Sequence, residues 1–115
     1  MKHLAVAVLG IVMTAMALVP DVAFSANTTA TYYHHRFNGR RMANGKVYRP
    51  GRLTAAHRRY RLGTRIRVTN RRTGKSVRVT VTDRCNCTLD LSPAAFRKIG
   101  RLSQGRIPVK VNIGG

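Results

Sequence analysis

The chain has 115 residues and a formal net charge of +19, from 22 Lys and Arg against 3 Asp and Glu. That length suits one domain. Its two cysteines exclude a disulfide-dense mini-protein, and polar residues spread along the chain exclude a multi-pass membrane protein. A hydrophobic content of 43% supports a packed core and excludes a disordered basic tail.

Residues 1–25 have the pattern of a secretory signal peptide. Lys2 precedes an apolar run over residues 4–19, and Ala23-Phe24-Ser25 places small residues at the −3 and −1 positions of a cleavage site. We expect cleavage after Ser25 and export to the periplasm or the medium. A retained membrane anchor is the alternative, although the run is short for a span. No cysteine lies near this site, so we do not expect a lipoprotein.

The exported domain would comprise residues 26–115. Cleavage removes one base, Lys2, and one acid, Asp21, so the net charge stays at +19. Any chemistry that needs carboxylates then depends on Asp83 and Asp90. A large positive excess favours an anionic partner. For an exported protein, this indicates anionic envelope polymers or surfaces, and we expect no nucleic acid.

The first part of this domain predicts little regular structure. Residues 26–30 have the composition of a polar lead-in, and residues 31–33 predict a short strand. Residues 36–51 indicate a long loop or hairpin region, because turn-forming residues are closely spaced there. These turn-forming residues are Gly39, Asn44, Gly45, Pro50 and Gly51.

The second half of the domain alternates between apolar and polar residues. The alternation covers residues 65–69, 76–82 and 107–113, which predicts half-buried strands with one face in a core and the other wet and basic. A short helix is predicted after Ser92, a typical N-cap, with Pro93 at its first position and Gly100 as its stop. The pattern predicts a small all-β domain with one short helix, and barrel closure would remove unpaired strand edges.

Several short motifs occur in order along residues 31–113. Among them are Tyr32-Tyr33, Phe37-Asn38-Gly39-Arg40, Leu53-Thr54-Ala55-Ala56-His57, Val81-Thr82-Asp83-Arg84 and Leu89-Asp90-Leu91-Ser92. Together they resemble the rare lipoprotein A (RlpA) family of the double-psi β-barrel superfamily, which is related to expansins and barwin-like proteins. The resemblance implies a six-stranded double-psi β-barrel. It also implies an endolytic peptidoglycan transglycosylase, a lyase that cleaves between N-acetylmuramic acid and N-acetylglucosamine and leaves a 1,6-anhydro sugar.

The family's two functional positions fall on Asp83 and His57. Glycosidic cleavage needs an acid for the leaving oxygen. Because the sugar's own 6-hydroxyl replaces water in the anhydro reaction, one carboxyl group can serve as acid and then as base. Asp83 is therefore the candidate acid/base. His57 either orients Asp83, binds a sugar hydroxyl, or acts as a structural hydrogen-bonding residue.

Three further residues are candidates for the substrate site. Tyr33 would stack on a sugar ring or pack the barrel. Asp90 would join the site, as the comparable Asp does in expansins, or would favour the helix dipole. Arg84 would contact the substrate or pair with Asp83.

The family usually has other residues at the positions of His34, Cys85 and Cys87. A disulfide between the two cysteines is the expected state in an oxidising compartment. The alternative is a metal ion bound by both thiols with His34 or His35. No four-ligand spacing is evident, so we expect no metal and no cofactor.

The leading prediction is thus a monomeric, exported transglycosylase acting on peptidoglycan glycan strands. The alternative is a non-catalytic, expansin-like cationic module that binds the cell wall.

Overall fold

The computed structural model describes residues 24–114, so residues 1–23 of the predicted signal peptide lie outside the described residues. The strands are β1 (Phe24–Tyr32), β2 (Thr54–Ala56), β3 (Arg65–Asn70), β4 (Ser76–Asp83), β5 (Asp90–Leu91) and β6 (Ile107–Ile113), with helix α1 (Pro93–Ile99) between β5 and β6. They close into a barrel in the order β1-β5-β2-β4-β3-β6. The prediction of a six-stranded double-psi β-barrel with one short helix is confirmed. Within residues 24–114, no helix is long and apolar enough to cross a bilayer.

The alternating segments form the barrel wall and its core. In β3 and β4, Ile66 pairs with Val79 and Val68 with Val77, and all four side chains are buried. Because successive residues of a strand point to opposite faces, this register turns the intervening Arg and Thr side chains outward. The three strands predicted from alternation are confirmed within one residue at each end.

Helix α1 follows the predicted capping pattern. The Ser92 hydroxyl accepts a hydrogen bond from the Ala95 N–H at 3.3 Å, and Pro93 occupies the first turn. The helix buries Phe96 and Ile99 in the barrel core. Gly100 ends the helix with an extended backbone (φ −175°). A Cβ at this position would come too close to the ends of the Ile107 and Gln104 side chains, so these would have to shift.

Strand β1 corrects the sequence interpretation of residues 26–30. Instead of a polar lead-in, they pair antiparallel with β6 from Phe24↔Ile113 to Ala30↔Ile107. The small and polar residues there carry little apolar signal, although Ala30 is fully buried. The predicted strand at 31–33 is only the end of β1, and Tyr33 lies just beyond it.

Two short strands were not predicted. Strand β2 has three residues and β5 has two, so neither is long enough to show a period. Both are placed by pairing: β2 is parallel to β4 and antiparallel to β5, and β5 is parallel to β1. The candidate site depends on these two strands.

The segment between β1 and β2 is irregular, as predicted, and folds over the outside of the barrel. A bridge between Arg41 and Val47 and a positive φ of 87° at Gly45 form its tight turn. It contributes to a second apolar cluster outside the barrel core. That cluster contains Tyr33, Met42, Tyr48 and Ala56, with Phe37 and Cys85 packed against it.

Candidate active site

The two acidic side chains of the described chain flank Ala56 on one surface of the barrel. Ala56 pairs in parallel with Asp83 of β4 and antiparallel with Asp90 of β5. Paired residues point to the same side of a sheet, and neighbouring strands lie about 4.8 Å apart, so the two aspartate Cα atoms are roughly 10 Å apart. Ala56 belongs to the outer cluster, whereas Ala55 belongs to the core. Both carboxyl groups therefore lie on the outer face.

A β-bulge directs Asp83 to this face. Ala55 pairs with Val81, but Ala56 pairs with Asp83, so the register shifts by one residue between them. Val81 is fully buried in the core. In a regular strand, Asp83 would follow Val81 inward, because residues two apart share a face. The extra residue, Thr82, re-aims Asp83 outward.

Three hydrogen-bond donors hold the Asp83 carboxylate. The Tyr33 hydroxyl donates to Oδ2 at 2.8 Å, and the backbone N–H groups of Ala43 and Arg84 donate to Oδ1 at 2.8 Å each. An ionised carboxylate accepts only, so this set of donors suits the ionised form. Asp83 makes its contact with Arg84 through the backbone, not through the guanidinium group.

Tyr33 and Tyr48 form an aromatic wall beside the carboxylates. Their rings stack with centroids 4.3 Å apart and planes 15° from parallel, and both side chains are buried. Burial, followed by the hydrogen bond to Asp83, raises the pKa of Tyr33, so its hydroxyl remains a donor. Burial and the nearby charge of Asp90 raise the pKa of Tyr48 to about 12. Within residues 24–114, the buried Tyr48 hydroxyl has no hydrogen-bond partner.

Asp90 is partly buried and is held from strand β1. The Thr31 hydroxyl donates to its Oδ1 at 2.9 Å from the neighbouring strand β1. Burial raises the pKa of Asp90, while the Thr31 hydrogen bond acts in the opposite direction. Burial thus favours the protonated form of Asp90 relative to a solvent-exposed aspartate.

His57 follows Ala56 and is held by its Nδ1 atom. That nitrogen accepts hydrogen bonds from the backbone N–H groups of Arg59 and Tyr60, both at 3.0 Å. The imidazole stacks on the Tyr60 ring with a centroid distance of 3.6 Å. Burial, then the charges of Arg58, Arg84 and Arg59, lower the pKa of His57. Because Nδ1 accepts both hydrogen bonds, the neutral form of the ring carries its proton on Nε2.

The link between His57 and Asp83 runs through the backbone. The His57 N–H donates to the Asp83 carbonyl at 3.1 Å, and no hydrogen bond joins the two side chains in the described part of the chain. The Arg84 guanidinium donates to the backbone carbonyls of His57 at 3.1 Å and Tyr60 at 2.6 Å. Arg84 thus anchors the 57–60 turn beside Asp83.

Cys85 and Cys87 are joined by a disulfide, with their Cα atoms 5.2 Å apart. Cys85 packs against the outer cluster, and the Cys87 carbonyl accepts a hydrogen bond from Nε of Arg58 at 3.0 Å. In residues 24–114, no group of three or more His, Cys, Asp or Glu side chains is arranged to hold a metal ion.

A cleft of about 930 Å³ is lined in part by Thr82, the residue before Asp83, but neither Asp83 nor Asp90 lines it. Its floor includes Thr54, which pairs with Thr80, one pleat along from the Ala56–Asp83 pair. Its rim combines basic and exposed aliphatic side chains. These are Lys46, Arg49, Arg52, Val47, Leu53 and Leu62.

The structure brings four of the five predicted site residues into direct or paired contact around Ala56. Asp83, Asp90 and Tyr33 share the outer face, and Arg84 supports the adjoining turn. The His57 side chain stacks on Tyr60, and in residues 24–114 it makes no hydrogen bond to Asp83. The sequence analysis missed Ala43 and Thr31, because their contacts form only in the folded chain. Of the two, only Thr31 could have been identified from the sequence, since it lies two residues before Tyr33 and therefore on the same strand face.

Comparisons with known proteins show the family of the chain and barrels of similar fold. The family model described as "Lytic transglycolase" matches residues 25–111. An uncharacterised protein of Synechocystis sp. is 60% identical over 83 residues, covering 72% of this chain and 92% of that protein. A probable endolytic peptidoglycan transglycosylase RlpA of Nostoc sp. is 43% identical over 104 residues, covering 85% of this chain.

The match covers only 28% of the Nostoc protein, so the chain spans under a third of that relative's length. Among solved structures, a mutant Clavibacter michiganensis expansin in complex with cellohexaose superposes with a TM-score of 0.62 at 26% identity. That superposition covers 78% of this chain and 50% of the expansin chain.

Proposed function

This chain belongs to the lytic transglycolase family of double-psi β-barrels, and from that premise we propose that it cleaves peptidoglycan glycan strands as a lytic transglycosylase. The cut lies between N-acetylmuramic acid and N-acetylglucosamine and leaves a 1,6-anhydro end. The observation that carries the proposal is the pair Asp83 and Asp90 on one outer face across Ala56, with Thr82, the residue before Asp83, lining an open cleft.

The reaction requires two proton movements. One proton goes to the leaving glycosidic oxygen, and another leaves the 6-hydroxyl as it closes onto the anomeric carbon. Asp83, with three donors to its carboxylate, suits removal of the hydroxyl proton. Its negative charge also stabilises the positive charge that develops on the sugar ring.

Asp90 extends the one-carboxyl scheme. Burial favours its protonated form, so it suits delivery of a proton to the leaving oxygen. If water takes the place of the 6-hydroxyl, the same pair would catalyse hydrolysis, so the chemical form of the product distinguishes the two reactions.

Tyr33 and His57 assist in different ways. Tyr33 positions Asp83 through its hydroxyl, and its ring is already stacked on Tyr48, which supports a packing role over stacking on a sugar. His57 offers Nε2 to a sugar hydroxyl, since Nδ1 already accepts two hydrogen bonds. Arg84 acts as a positioning residue for the turn that carries His57.

The cleft that Thr82 helps to line is the proposed path of the glycan strand. It is open, and Thr82 directly precedes Asp83 in the chain. Its Thr and Asn side chains provide hydrogen bonds for sugar hydroxyls, and its basic rim attracts an anionic wall polymer. The protein would act without a cofactor, as a monomer in the cell envelope.

The test is digestion of purified sacculi, with soluble products identified by mass spectrometry. Wild-type protein should release anhydro-muropeptides, and Asp83→Asn should reduce their release at least a hundredfold, a typical effect of losing a catalytic acid or base. Arg97→Gln, on an exposed position of helix α1, is the matched surface control and should keep full activity. Absence of products from wild type, or equal release by Asp83→Asn, would contradict the proposal.

The second candidate is an expansin-like module that binds the wall without cutting it. The likeness to an expansin, at 26% identity, supports it, as does the high positive charge. It predicts salt-sensitive binding to whole sacculi that survives Asp83→Asn, with no bond cleavage by wild type.

A further inference from the structure

Tyr48 carries the one buried side-chain polar atom of residues 24–114 that lacks a hydrogen-bond partner. The residue is 2% exposed and belongs to the outer cluster, where its ring stacks on Tyr33. An unpaired buried hydroxyl costs stability, and phenylalanine would fill the same space without that cost. Packing of the ring therefore does not explain why this position carries a hydroxyl group.

Tyr48 is held beside strand β5 from two sides. Tyr33, which stacks on the Tyr48 ring, donates its N–H to the Leu91 carbonyl of β5 at 3.0 Å. Two residues after Tyr48, the Pro50 carbonyl accepts a hydrogen bond at 3.2 Å from the Ala94 N–H, in the first turn of the helix that follows β5. Because both anchors are backbone hydrogen bonds, the fold itself keeps Tyr48 next to β5.

Asp90, the first residue of β5, lies close enough for its charge to act on Tyr48. Its Oδ1 accepts a hydrogen bond from the Thr31 hydroxyl at 2.9 Å. Within residues 24–114, no donor reaches its Oδ2. A hydroxyl group without an acceptor and a carboxyl oxygen without a donor thus lie near each other.

The acceptor for the Tyr48 hydroxyl has to come from the protein. The hydroxyl oxygen is buried, so a substrate in an open cleft does not reach it. Its pKa of about 12 keeps the proton on the oxygen at neutral pH, so the group acts as a donor. Asp83 already has three donors, whereas Asp90 has one, from Thr31.

We propose that Tyr48 is a positioning residue for Asp90, and that its hydroxyl donates a hydrogen bond to Oδ2 when Asp90 loses its proton. This inference rests on the proposed function, in which Asp90 delivers a proton to the leaving oxygen. A hydrogen bond to the ionised carboxylate is charge-assisted and about twice as strong as one to the neutral acid. The bond therefore strengthens as the proton leaves, which lowers the barrier instead of stabilising the resting state.

The proton balance of this step involves Asp90 alone. The O–H bond of Asp90 breaks, and its proton passes to the glycosidic oxygen as the bond between that oxygen and the anomeric carbon breaks. Tyr48 keeps its own proton throughout. We expect a rotation of the Asp90 carboxyl group toward Tyr48, since the terminal torsion of an aspartate is broad.

The first test compares the kinetics of Tyr48→Phe with those of wild type. The variant should lower kcat for release of anhydro-muropeptides about ten- to a hundredfold, the effect of one hydrogen bond to a charged group. KM should change by less than about twofold, because the buried hydroxyl does not contact the substrate. The Tm should not fall, because the change removes an unpaired polar group. An unchanged kcat would overturn the proposal.

Tyr32→Phe is the matched control. The Tyr32 hydroxyl donates to the Leu102 carbonyl at 2.9 Å, so its removal should lower the Tm and leave kcat unchanged. The two variants should therefore behave in opposite ways, since Tyr48→Phe loses activity and keeps its stability. If kcat of Tyr48→Phe falls only together with its Tm, Tyr48 is a packing residue and the proposal is wrong.

The second test follows the titration of Asp90 by NMR of its carboxyl carbon and needs no activity. A hydrogen bond to the ionised form lowers the pKa of a carboxyl group, so Tyr48→Phe should move the titration midpoint to higher pH. We expect the proton affinity of Asp90 to rise about tenfold. Tyr33 of the outer cluster and Asp83 across Ala56 also face Asp90, and both are the same in the two proteins.

The titration distinguishes failure of this inference from failure of the proposed function. An unmoved midpoint in Tyr48→Phe overturns the inference, even if wild type is an active transglycosylase. Wild type that releases no anhydro-muropeptides overturns the proposed function, and a moved midpoint in that case still supports the contact between Tyr48 and Asp90.

Discussion

The Tyr33 hydroxyl donates a hydrogen bond to Oδ2 of Asp83 at 2.8 Å, although the two residues are 50 positions apart in the chain. The bond connects the end of β1 to the end of β4 across the two short strands between them in the barrel. Tyr33 is itself fixed by stacking on Tyr48. The orientation of the Asp83 carboxylate therefore depends on an aromatic pair that packs outside the barrel core.

Tyr33→Phe should lower kcat about ten- to a hundredfold with little change in KM. The change removes one hydrogen bond to a charged group, worth about 1.5–3 kcal/mol, while the stacked ring is retained. Release of anhydro-muropeptides at several substrate concentrations separates kcat from KM.

Tyr32→Phe is the matched control for this experiment. The Tyr32 hydroxyl also donates one hydrogen bond, at 2.9 Å, but to the Leu102 carbonyl, away from the site. Both variants should lose similar stability, and only Tyr33→Phe should lose activity. Equal effects on kcat would show that Tyr33 acts only through stability.

His57→Asn and His57→Leu should separate the structural role of His57 from its chemical role. An asparagine Oδ1 can accept the N–H groups of Arg59 and Tyr60 in place of Nδ1, whereas leucine cannot. His57→Leu should lower the free energy of unfolding by about 1–3 kcal/mol, and His57→Asn by less than about 1 kcal/mol. Urea unfolding measures both values.

Activity then decides whether Nε2 contributes. Both variants lack that nitrogen, so both should lose activity to a similar degree if it binds the substrate. An Asn variant with full activity would restrict His57 to its structural role.

His57 should also make the protein less stable as the solution becomes acidic. Its folded-state pKa lies below the unfolded value of about 6.5, so the unfolded chain binds the proton more tightly. Stability is complete above the unfolded pKa and falls as the pH drops below it toward the folded pKa. His57→Asn should lack this loss of Tm in acid. If the Tm of His57→Asn varies with pH as the wild-type Tm does, the effect does not come from His57.

Asp90→Asn should stabilise the protein near neutral pH. Burial raises the folded pKa of Asp90 above its unfolded value of about 3.9, so the folded chain holds the proton more tightly. The contribution of Asp90 is fully present below the unfolded pKa and is lost as the pH rises through the folded pKa. The Tm of Asp90→Asn relative to wild type should therefore increase from about pH 3 to about pH 7.

Asp83→Asn is the comparison for Asp90. Its amide NH2 would face at least one of the donors from Tyr33, Ala43 and Arg84, so its Tm should fall near neutral pH. If the Tm of Asp90→Asn is also below that of wild type at neutral pH, burial does not control the pKa of the Asp90 carboxyl group.

Local sequence patterns predicted the parts of the fold that have a period or a cap. Strands β3, β4 and β6 alternate over six or more residues, and Ser92 with Pro93 marks the start of α1. The same patterns failed for β1, where small and polar residues fill inward positions, and for the very short β2 and β5. Signal cleavage after Ser25 stays a prediction.

The residue types available for chemistry follow from the amino-acid sequence alone, because Asp83 and Asp90 are the only acidic side chains after position 25. Their arrangement depends on the folded barrel. The bulge at Ala55 and Ala56 turns Asp83 outward, and Ala56 joins both acids to one face. The contacts of Tyr33 and Arg84 bridge 50 and 27 residues respectively. Such contacts depend on barrel closure, which short-range periodicity does not encode.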